Sequence, residues 1–426
     1  SFSRKNTNMI SLYSIFFVKC LIIYLIKRKY GAISAPFFIL IIFFFYSQCF
    51  FIDYILFGIE EIGYYGRFVP MSIFSDDYLF IVILYLTFFL GFGSVLIFAN
   101  PPSLKIKEVH VYKENKSYNL LLIISVCILI IYTIQNIYGV GRLEKNKFLI
   151  SNKLLSIPIN VATFGWLILF FKNIVNQKRS ILFYILSFAI ILYGILEGGR
   201  EIFLYILFAY LFSREKTSLN LKQIFLGIVV FIFLTFWKVI SIFVIKLNDI
   251  PRLIDYFQRQ FQFSFTAMDP LNSLLMIRDF NLGDSFYDQF QFSYITNTIK
   301  QILRTFNLIE YDSFAESIAL YYIPEMQKMG AGLASSGILE SMLNFWYFGP
   351  AILGIILGLI SIKVYYIKYK STFLYGVLSL FLTILCFKLV RTELAVVLKI
   401  YFLPMLVAYF FFYKLSFSKM IRDVKF

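Results

Sequence analysis

Histidine is almost absent from this chain of 426 residues, which contains a single one, His110. The four cysteines lie in apolar stretches without the spacing of metal ligands, and we interpret them as core residues: Cys20, Cys49, Cys127 and Cys386. A glycine-rich phosphate loop of the Walker type is also missing from the sequence. These absences leave no support for a metal site, a bound cofactor or the use of ATP, and we expect none of them.

Polar residues are scarce as well, because 60% of the residues are hydrophobic and the mean hydropathy is +0.78. A soluble domain could not bury that much apolar surface. We therefore predict an all-α polytopic integral membrane protein with about eleven transmembrane helices, the first of them retained rather than cleaved as a signal peptide. The predicted spans are 9–26, 33–57, 78–99, 119–138, 155–171, 181–196, 201–213, 223–246, 338–362, 372–390 and 394–413.

Acidic residues are fewer than basic ones, 24 against 40, and the formal net charge is +16. The positions of these charges indicate topology rather than a nucleic-acid partner. With the C-terminus placed in the cytoplasm, the basic clusters at 27–29 and 363–370 fall on the cytoplasmic side, whereas the acidic first loop falls outside. This positive-inside pattern places the long polar segment, roughly 246–336, outside the cytoplasm.

The polar segment divides the chain into three predicted parts. These are an N-terminal transmembrane bundle of about eight helices (1–246), a large periplasmic loop (247–337), and about three C-terminal helices with a cytoplasmic tail (338–426). The loop is too long and too patterned for a linker, since apolar residues such as Ile295 and Ile299 recur at helical spacing. We predict short amphipathic helices at the outer membrane interface, folded as a cap. Helices that pack only on one another are the alternative.

The first candidate binding site is the turn Gly198-Gly199-Arg200, between two predicted spans. Two glycines let the backbone approach a ligand closely, and the helix that follows offers free amide groups at its N-terminus. Arg200 could clamp a phosphate with its planar guanidinium group. In the alternative interpretation the turn is a tight helical hairpin whose arginine is neutralised by Glu197 or Glu201.

Further cations lie at the predicted outer helix ends and in the outer loops. Lys388 and Arg391 are one helical turn apart, which predicts a cationic pocket facing the outer leaflet unless Glu393 simply pairs with Arg391. Arg142 lies in a basic loop that breaks the positive-inside rule, so either the local topology differs or the loop binds an anion. The cap adds cations that also suit a solvated face: Arg252, Arg259, Arg278 and Arg304.

The third candidate site is the segment 330–345, where small residues lead into a helix. Ser335 or Ser336 could cap this helix. Glu340 in its first turns would lie at the membrane edge on the outer side, either as a general base or as a carboxylate that complements the helix dipole. Asn344 follows one turn later.

These stretches resemble the O-antigen polymerase (Wzy) family of bacterial polysaccharide repeat-unit polymerases. As architecture, with many helices and one large late periplasmic loop, the resemblance spans most of the chain. Locally it rests on Gly198-Gly199-Arg200, on Gly283-Asp284-Ser285-Phe286 with the helix that follows, and on 332–345. In many members a glycine follows the Asn-Phe pair directly, whereas here three aromatic residues intervene before Gly349.

The resemblance implies a GT-C-like, metal-independent glycosyltransferase of the bacterial inner membrane, with its large loop in the periplasm. A hydroxyl group of a lipid-linked repeat unit would attack the anomeric carbon of a glycan carried on undecaprenyl pyrophosphate, which leaves. Arg200 and Arg391 would bind the pyrophosphate, and Glu340 would be the base or orient the acceptor. The other expected substrate contacts are Arg142, Arg252, Arg259, Arg278, Ser335, Ser336, Asn344 and Lys388. The expected partners are membrane lipid, a chain-length regulator and a flippase of the same pathway.

Three other functions remain open. An O-antigen ligase would share the architecture and the donor, but its family typically presents a histidine in the large loop, where this chain has none. A lipid-linked oligosaccharide flippase, the non-enzyme alternative, would have short loops on both faces and charges along a central cavity. A metal-dependent glycosyltransferase would use the acidic residues of the first outer loop, which also suit a solvated loop: Glu60, Glu61, Asp76 and Asp77.

Overall fold

The structure is a computed structural model that describes residues 2–62, 71–100, 156–176, 201–213, 293–305, 336–369 and 371–410, with shorter pieces at 184–185, 187–188, 190–191, 222, 225, 229, 308–309 and 316. Helices account for most of these residues. They are α1 (Phe2–Tyr30), α2 (Ala35–Phe57), α3 (Asp76–Phe98), α4 (Ser156–Asn176), α5 (Glu201–Phe212), α6 (Ser293–Thr305), α7 (Gly337–Phe345), α8 (Gly349–Ile367), α9 (Thr372–Leu389), α10 (Leu394–Val397) and α11 (Leu403–Tyr409). A 3-10 turn (Trp346–Phe348) joins α7 to α8, and a π-helical turn (Leu398–Phe402) joins α10 to α11. Between α2 and α3, two antiparallel strands of two residues each, β1 (Glu61–Ile62) and β2 (Met71–Ser72), pair with Glu61 opposite Ser72.

Four segments of the described chain are long and apolar enough to cross a membrane: Lys5–Tyr30, Ala35–Phe57, Asp76–Phe98 and Gly337–Ile367. Shorter apolar helices accompany them, among them Glu201–Phe212 and Phe373–Leu389. Each lies within a few residues of a span that the hydropathy predicts. The chain is therefore a helical membrane protein. The predicted spans 119–138 and 223–246, and the cap helices before Ser293, fall largely or wholly outside the described residues.

Helices α1, α2 and α3 form a bundle with two chemically different ends. At one end Lys5 pairs with Glu60, with 2.9 Å between Nζ and Oε2. At the other end the Lys29 ammonium group donates to the Ile97 carbonyl at 2.7 Å. These contacts show that α1 and α3 run in the same direction and α2 in the opposite one. We call the two ends the Lys5 end and the Lys29 end.

Local capping groups fix where α2 and α3 begin. The Ser34 hydroxyl accepts from the Phe37 N–H at 3.4 Å, and the Ser75 hydroxyl accepts from the Tyr78 N–H at 3.3 Å. Each satisfies an amide that has no partner within its own helix. Helix α2 ends at Gly58, whose φ of 69° is the left-handed conformation that glycine adopts without strain.

Helix α3 packs most extensively on α8, although about 250 residues separate them in the chain. Gly91 on α3 and two glycines on α8, Gly354 and Gly358, allow this close approach. A β-carbon at Gly91 would overlap the Ala351 carbonyl, and one at Gly354 would overlap the Phe88 carbonyl. Small residues at four-residue spacing are common where membrane helices meet closely. The glycines therefore set the distance between α3 and α8.

The chain turns back sharply between α7 and α8. Trp346 has a positive φ of 56°, which is uncommon for a residue with a β-carbon. A β-carbon at Gly349 would overlap the Ser341 carbonyl, whereas in a continuous helix these residues would be about 12 Å apart along the axis. The sequence predicts one span over 338–362. The structure instead divides this region into a short helix, α7, and a longer one, α8, because the aromatic turn reverses the chain.

Helix α9 occupies a central place and packs against α2, α4, α5 and α8. It begins at the Lys29 end, where the ring of Tyr375 lies 6.0 Å from that of Tyr365 on α8. At the other end of α9, Leu389 lies against Gly337, the first residue of α7. The segment from α10 to α11 follows and packs on α4. One region of the molecule therefore contains the start of α5, the start of α7, the end of α9 and the start of α10.

Candidate functional site

The centre of this region is an ion pair between α5 and α9. The Lys388 ammonium group, near the end of α9, contacts the Glu201 carboxylate at the start of α5. The Lys388 side chain is 6% exposed and the Glu201 side chain 40%. The ring of Tyr401 lies 4.5 Å from Nζ of Lys388 and adds a cation–π contact. A carboxylate and an aromatic face therefore hold the lysine in place.

Arg391 lies in the tight turn that ends α9. Its backbone N–H donates to the Lys388 carbonyl at 2.9 Å. The charges of Arg391, Glu201 and Lys388 all act on the hydroxyl group of Tyr46 in α2. Tyr46 is the middle residue of a helix of 23 residues, so it lies about 17 Å along the axis from either end. Helix α5 leads from this ion pair to Phe208, whose ring packs on that of Phe38 near the start of α2, so the charged cluster lies at about mid-height of α2.

Glu340 joins α7 to the start of α10. The glutamate is buried, and its Oε2 accepts from the Leu394 N–H at 2.6 Å. The N-cap residue of α10, Glu393, makes no capping bond with its own side chain. Glu340 therefore supplies the cap from 54 residues earlier in the chain. Its carboxylate therefore binds the backbone at a position three residues after Arg391.

Two further predicted site residues belong to α7 itself. Ser336 is its N-cap, and the hydroxyl accepts from the Ile338 N–H at 3.1 Å. The Asn344 amide donates to the Glu340 carbonyl at 2.7 Å. Helix α7 also packs on α3, where the Ser336 side chain lies near the Tyr85 hydroxyl group without a hydrogen bond to it. Because Tyr85 is nine residues into α3, about 13 Å along its axis, α7 begins within the depth of the bundle.

Helix α6 packs against α7, α10 and the π-helical turn with its polar face inward. Asn297 and Gln301 are buried at 1% and 4% exposure, whereas Ile295 and Ile299 are 66% and 53% exposed. The apolar stripe that the sequence predicts therefore faces outward. A soluble helix would show the opposite arrangement, so the outward isoleucines of α6 suit an apolar environment.

The structure brings together five of the residues that the sequence singles out: Ser336, Glu340, Asn344, Lys388 and Arg391. The others lie outside the described residues: Arg142, Arg200, Arg252, Arg259, Arg278 and Ser335. Glu201, which the sequence offers as a partner for Arg200, pairs with Lys388, and Arg200 itself lies outside the described residues. In the sequence, Arg200 directly precedes Glu201.

Sequence reasoning did not assign a role to several buried polar residues. Lys19 is a charge within an apolar span, and this alone could have marked it. Asn297 and Gln301 form an i, i+4 pair opposite the isoleucines, which predicts a polar face but not where it points. The sequence carries no signal that places Tyr46 within electrostatic range of Arg391, because this depends on the packing of α2 against α9.

The cluster combines two cations, Lys388 and Arg391, with three carboxylates, Glu201, Glu340 and Glu393. Arginine suits a phosphate group because its planar guanidinium can donate two parallel hydrogen bonds. In this arrangement Glu201 fixes Lys388, and Glu340 fixes the segment beyond Arg391. The part of the chain that the structure describes contains no group of three or more His, Cys, Asp or Glu side chains that could hold a metal ion.

These features define a helical membrane protein with a cluster of opposite charges inside its bundle. Comparison with protein-family models, with curated proteins and with solved structures finds no match to the chain. What the site can do therefore follows from its own residues.

Proposed function

We propose that this protein polymerises lipid-linked oligosaccharide repeat units, as the resemblance to the O-antigen polymerase family implies. The donor is a growing glycan on undecaprenyl pyrophosphate, and the acceptor is a single repeat unit on the same carrier. The acceptor hydroxyl forms a bond to the anomeric carbon of the donor. The bond from that carbon to the pyrophosphate breaks, and undecaprenyl pyrophosphate leaves with the bonding electrons.

The observation that carries this proposal is the charged cluster at mid-height of α2, where Lys388, Arg391, Glu201 and Glu340 meet. Charges at this depth are costly unless they are paired or used. A phosphate attached to a polyprenyl chain is an anion that can reach such a site from within the bilayer. The leaving group also carries the negative charge that arginine stabilises well.

The geometry supports a division of roles among these residues. Arg391, with Arg200 as its proposed partner, binds the pyrophosphate, and Glu201 keeps Lys388 beside it. Glu340 either accepts the acceptor's proton or orients the acceptor, and in the second case the proton passes to the departing pyrophosphate. Its bond to the Leu394 N–H favours the orienting role, because the carboxylate is coupled to the segment that follows Arg391.

The charges at the two ends of the bundle support the proposed orientation. Lys27, Arg28 and Lys29 lie at the Lys29 end, whereas Glu60 and Asp76 lie at the Lys5 end. By the positive-inside rule the Lys29 end is cytoplasmic. The Lys5 end and the segment 247–337 then face the periplasm of a bacterial inner membrane, and the C-terminus is cytoplasmic. There a flippase would deliver the repeat units and a chain-length regulator would act on the product.

Deletion of the gene in its native host, followed by complementation, tests the proposal. The surface glycan of the deletion strain should end at a single repeat unit, with the long ladder missing on a gel. The wild-type gene should restore the ladder, whereas the Arg391→Ala and Arg200→Ala variants should not, at equal protein level. Lys363→Ala is the matched control, since Lys363 is exposed on α8 far from the cluster. A normal ladder from both arginine variants would refute the roles assigned to them.

The same gel separates the competing functions. Loss of every repeat unit, including the first, would indicate a flippase or a ligase and would overturn the proposal. The metal-dependent glycosyltransferase requires a further arm, because it predicts loss of polymer synthesis in membranes treated with EDTA. We expect synthesis to survive that treatment.

A further inference from the structure

The inward face of α6 presents a ligand-binding surface that differs in charge from the cluster beside it. Asn297, Gln301 and Arg304 follow one another at i, i+4 and i+7 and therefore share one side of the helix. This side packs toward α7, which carries Glu340, and toward α10, which begins three residues after Arg391. The face thus borders the region where the proposed reaction takes place.

Asn297 is a buried residue on this face with an unsatisfied side-chain amide. Its Nδ2 has no hydrogen-bond partner within the described part of the chain, although the residue is 1% exposed. An unsatisfied buried amide destabilises the folded state, and buried polar groups in proteins nearly always have a partner. An apolar residue of similar size would avoid this cost. A donor held at this position without a partner therefore suits a ligand that arrives later.

The positive charge of Arg304, the third residue on this face, is neutralised by a glutamate. Arg304 forms a two-point ion pair with Glu316, at 2.5 Å and 3.2 Å between nitrogen and oxygen atoms. Asn297 and Gln301 then contribute carboxamide groups, which donate and accept hydrogen bonds but hold no charge. A phosphate would be held poorly here, whereas the hydroxyl groups of a sugar match these donors and acceptors.

We propose that the Asn297–Gln301 face of α6 binds a neutral, hydroxyl-rich group, namely the sugar adjacent to the pyrophosphate of the lipid-linked substrate. This inference rests on the proposed function and deepens it. Arg391 and its neighbours would hold the pyrophosphate, and α6 would recognise the glycan attached to it. The exposed isoleucines on the opposite side of α6 would contact lipid.

Binding to the full-length protein in nanodiscs tests this assignment with two probes. One probe is undecaprenyl pyrophosphate, and the other is the lipid-linked single repeat unit extracted from the host strain that lacks this gene. Wild-type protein should bind the glycan-bearing lipid about tenfold more tightly than the bare lipid. Asn297→Leu should remove that difference and leave binding of the bare lipid unchanged. The Asn297→Ala variant, which removes the whole carboxamide group, should show the same loss.

Thermal unfolding of the ligand-free protein separates recognition from a structural role. Because Asn297 has an unsatisfied amide, Asn297→Leu should not lower the melting temperature Tm and should raise it by a few degrees. Thr296→Leu places the same side chain at the exposed neighbouring position and should leave both Tm and the tenfold preference unchanged. A lower Tm for Asn297→Leu, or a retained preference for the glycan-bearing lipid in either Asn297 variant, would overturn the inference.

The same assay distinguishes an error in the proposed function from an error in the sugar assignment. If Arg391→Ala bound undecaprenyl pyrophosphate as tightly as wild type, the pyrophosphate site itself would be misplaced. If Arg391→Ala lost the bare lipid while wild type bound both lipids equally, only the sugar assignment to α6 would be wrong.

Discussion

Two lysines among the described residues are buried inside the helix bundle, and the bundle stabilises them by different means. Lys388 is paired with the Glu201 carboxylate and with the ring of Tyr401. Lys19, in the middle of α1, is fully buried and donates a single hydrogen bond, to the Ser47 hydroxyl at 3.1 Å. The rings of Phe89 and Tyr85 lie 5.5 Å and 5.9 Å from its Nζ. No carboxylate of the described residues is paired with Lys19.

The surroundings of Lys388 are charged, whereas those of Lys19 are mainly aromatic. Around Lys388, the ion pair and the Glu340 cap connect segments that are far apart in the chain, so removing one partner leaves another charge exposed to an apolar environment. Around Lys19, aromatic rings and one hydroxyl group replace the missing carboxylate. An ammonium group has three donors, so Lys19 is only partly satisfied there. We expect mutations at the two lysines to change stability in opposite directions.

The largest effect should follow from removing the carboxylate beside Lys388. Glu201→Gln leaves the lysine buried without its counter-charge, and we expect a loss of about 3 kcal/mol in the free energy of unfolding. Glu60→Gln is the matched control, because the Lys5–Glu60 pair is about half exposed on both sides and should contribute less than about 1 kcal/mol. Unfolding by denaturant in nanodiscs of one lipid composition measures both. Equal losses for the two variants would show that burial does not distinguish these ion pairs.

A smaller effect of opposite sign is expected at the other lysine. Lys19→Met replaces a partly satisfied amino group with an apolar side chain of similar length, and should stabilise the protein by about 2 kcal/mol. Lys388→Met should instead destabilise it, because Glu201 loses its partner. Unfolding of both variants under identical conditions decides the sign. If Lys19→Met lowered stability, the hydroxyl and the aromatic rings would be a full substitute for a carboxylate.

The smallest effect isolates the one hydrogen bond of Lys19. Ser47→Ala removes the acceptor at 3.1 Å and should cost about 1 kcal/mol in the wild-type background. In the Lys19→Met background the same change should cost nearly nothing, because no ammonium group remains to be satisfied. A double-mutant cycle measures this coupling directly. Equal costs in both backgrounds would mean that Ser47 acts through its bond to the Phe44 carbonyl rather than through Lys19.

Much of the fold could be predicted because hydropathy is a local property of the chain. The runs that become α1, α2, α3 and α9 are apolar, and serine caps mark the starts of α2 and α3. Near the turn at Trp346, Gly349-Pro350 marks the start of α8 in the sequence, but the residue with positive φ is neither glycine nor proline. The reversal depends on the contact of Gly349 with Ser341, which only the folded chain creates.

The candidate site was predictable in its residues, whereas its long-range contacts were not. The sequence offered neighbours as partners, Glu201 for Arg200 and Glu393 for Arg391. The structure pairs Glu201 with Lys388 across 187 residues and ties Glu340 to Leu394 across 54. Such contacts depend on which helices meet, and a single sequence does not encode that in its spacing. The inward orientation of the polar face of α6 could not be predicted for the same reason. Periodicity defines a polar face without showing which side packs against the rest of the protein.

The glycine contact between α3 and α8 has a consequence for how the protein is made. About 250 residues separate the end of α3 from the start of α8, so at about 5–20 residues per second a ribosome needs roughly 13–50 s to synthesise the intervening chain. During that interval Gly91 and its neighbouring residues have no α8 to contact. The contact between α3 and α8 can therefore form only after all of the intervening chain has been synthesised, and until then α3 packs without the helix that its glycine fits in the finished protein.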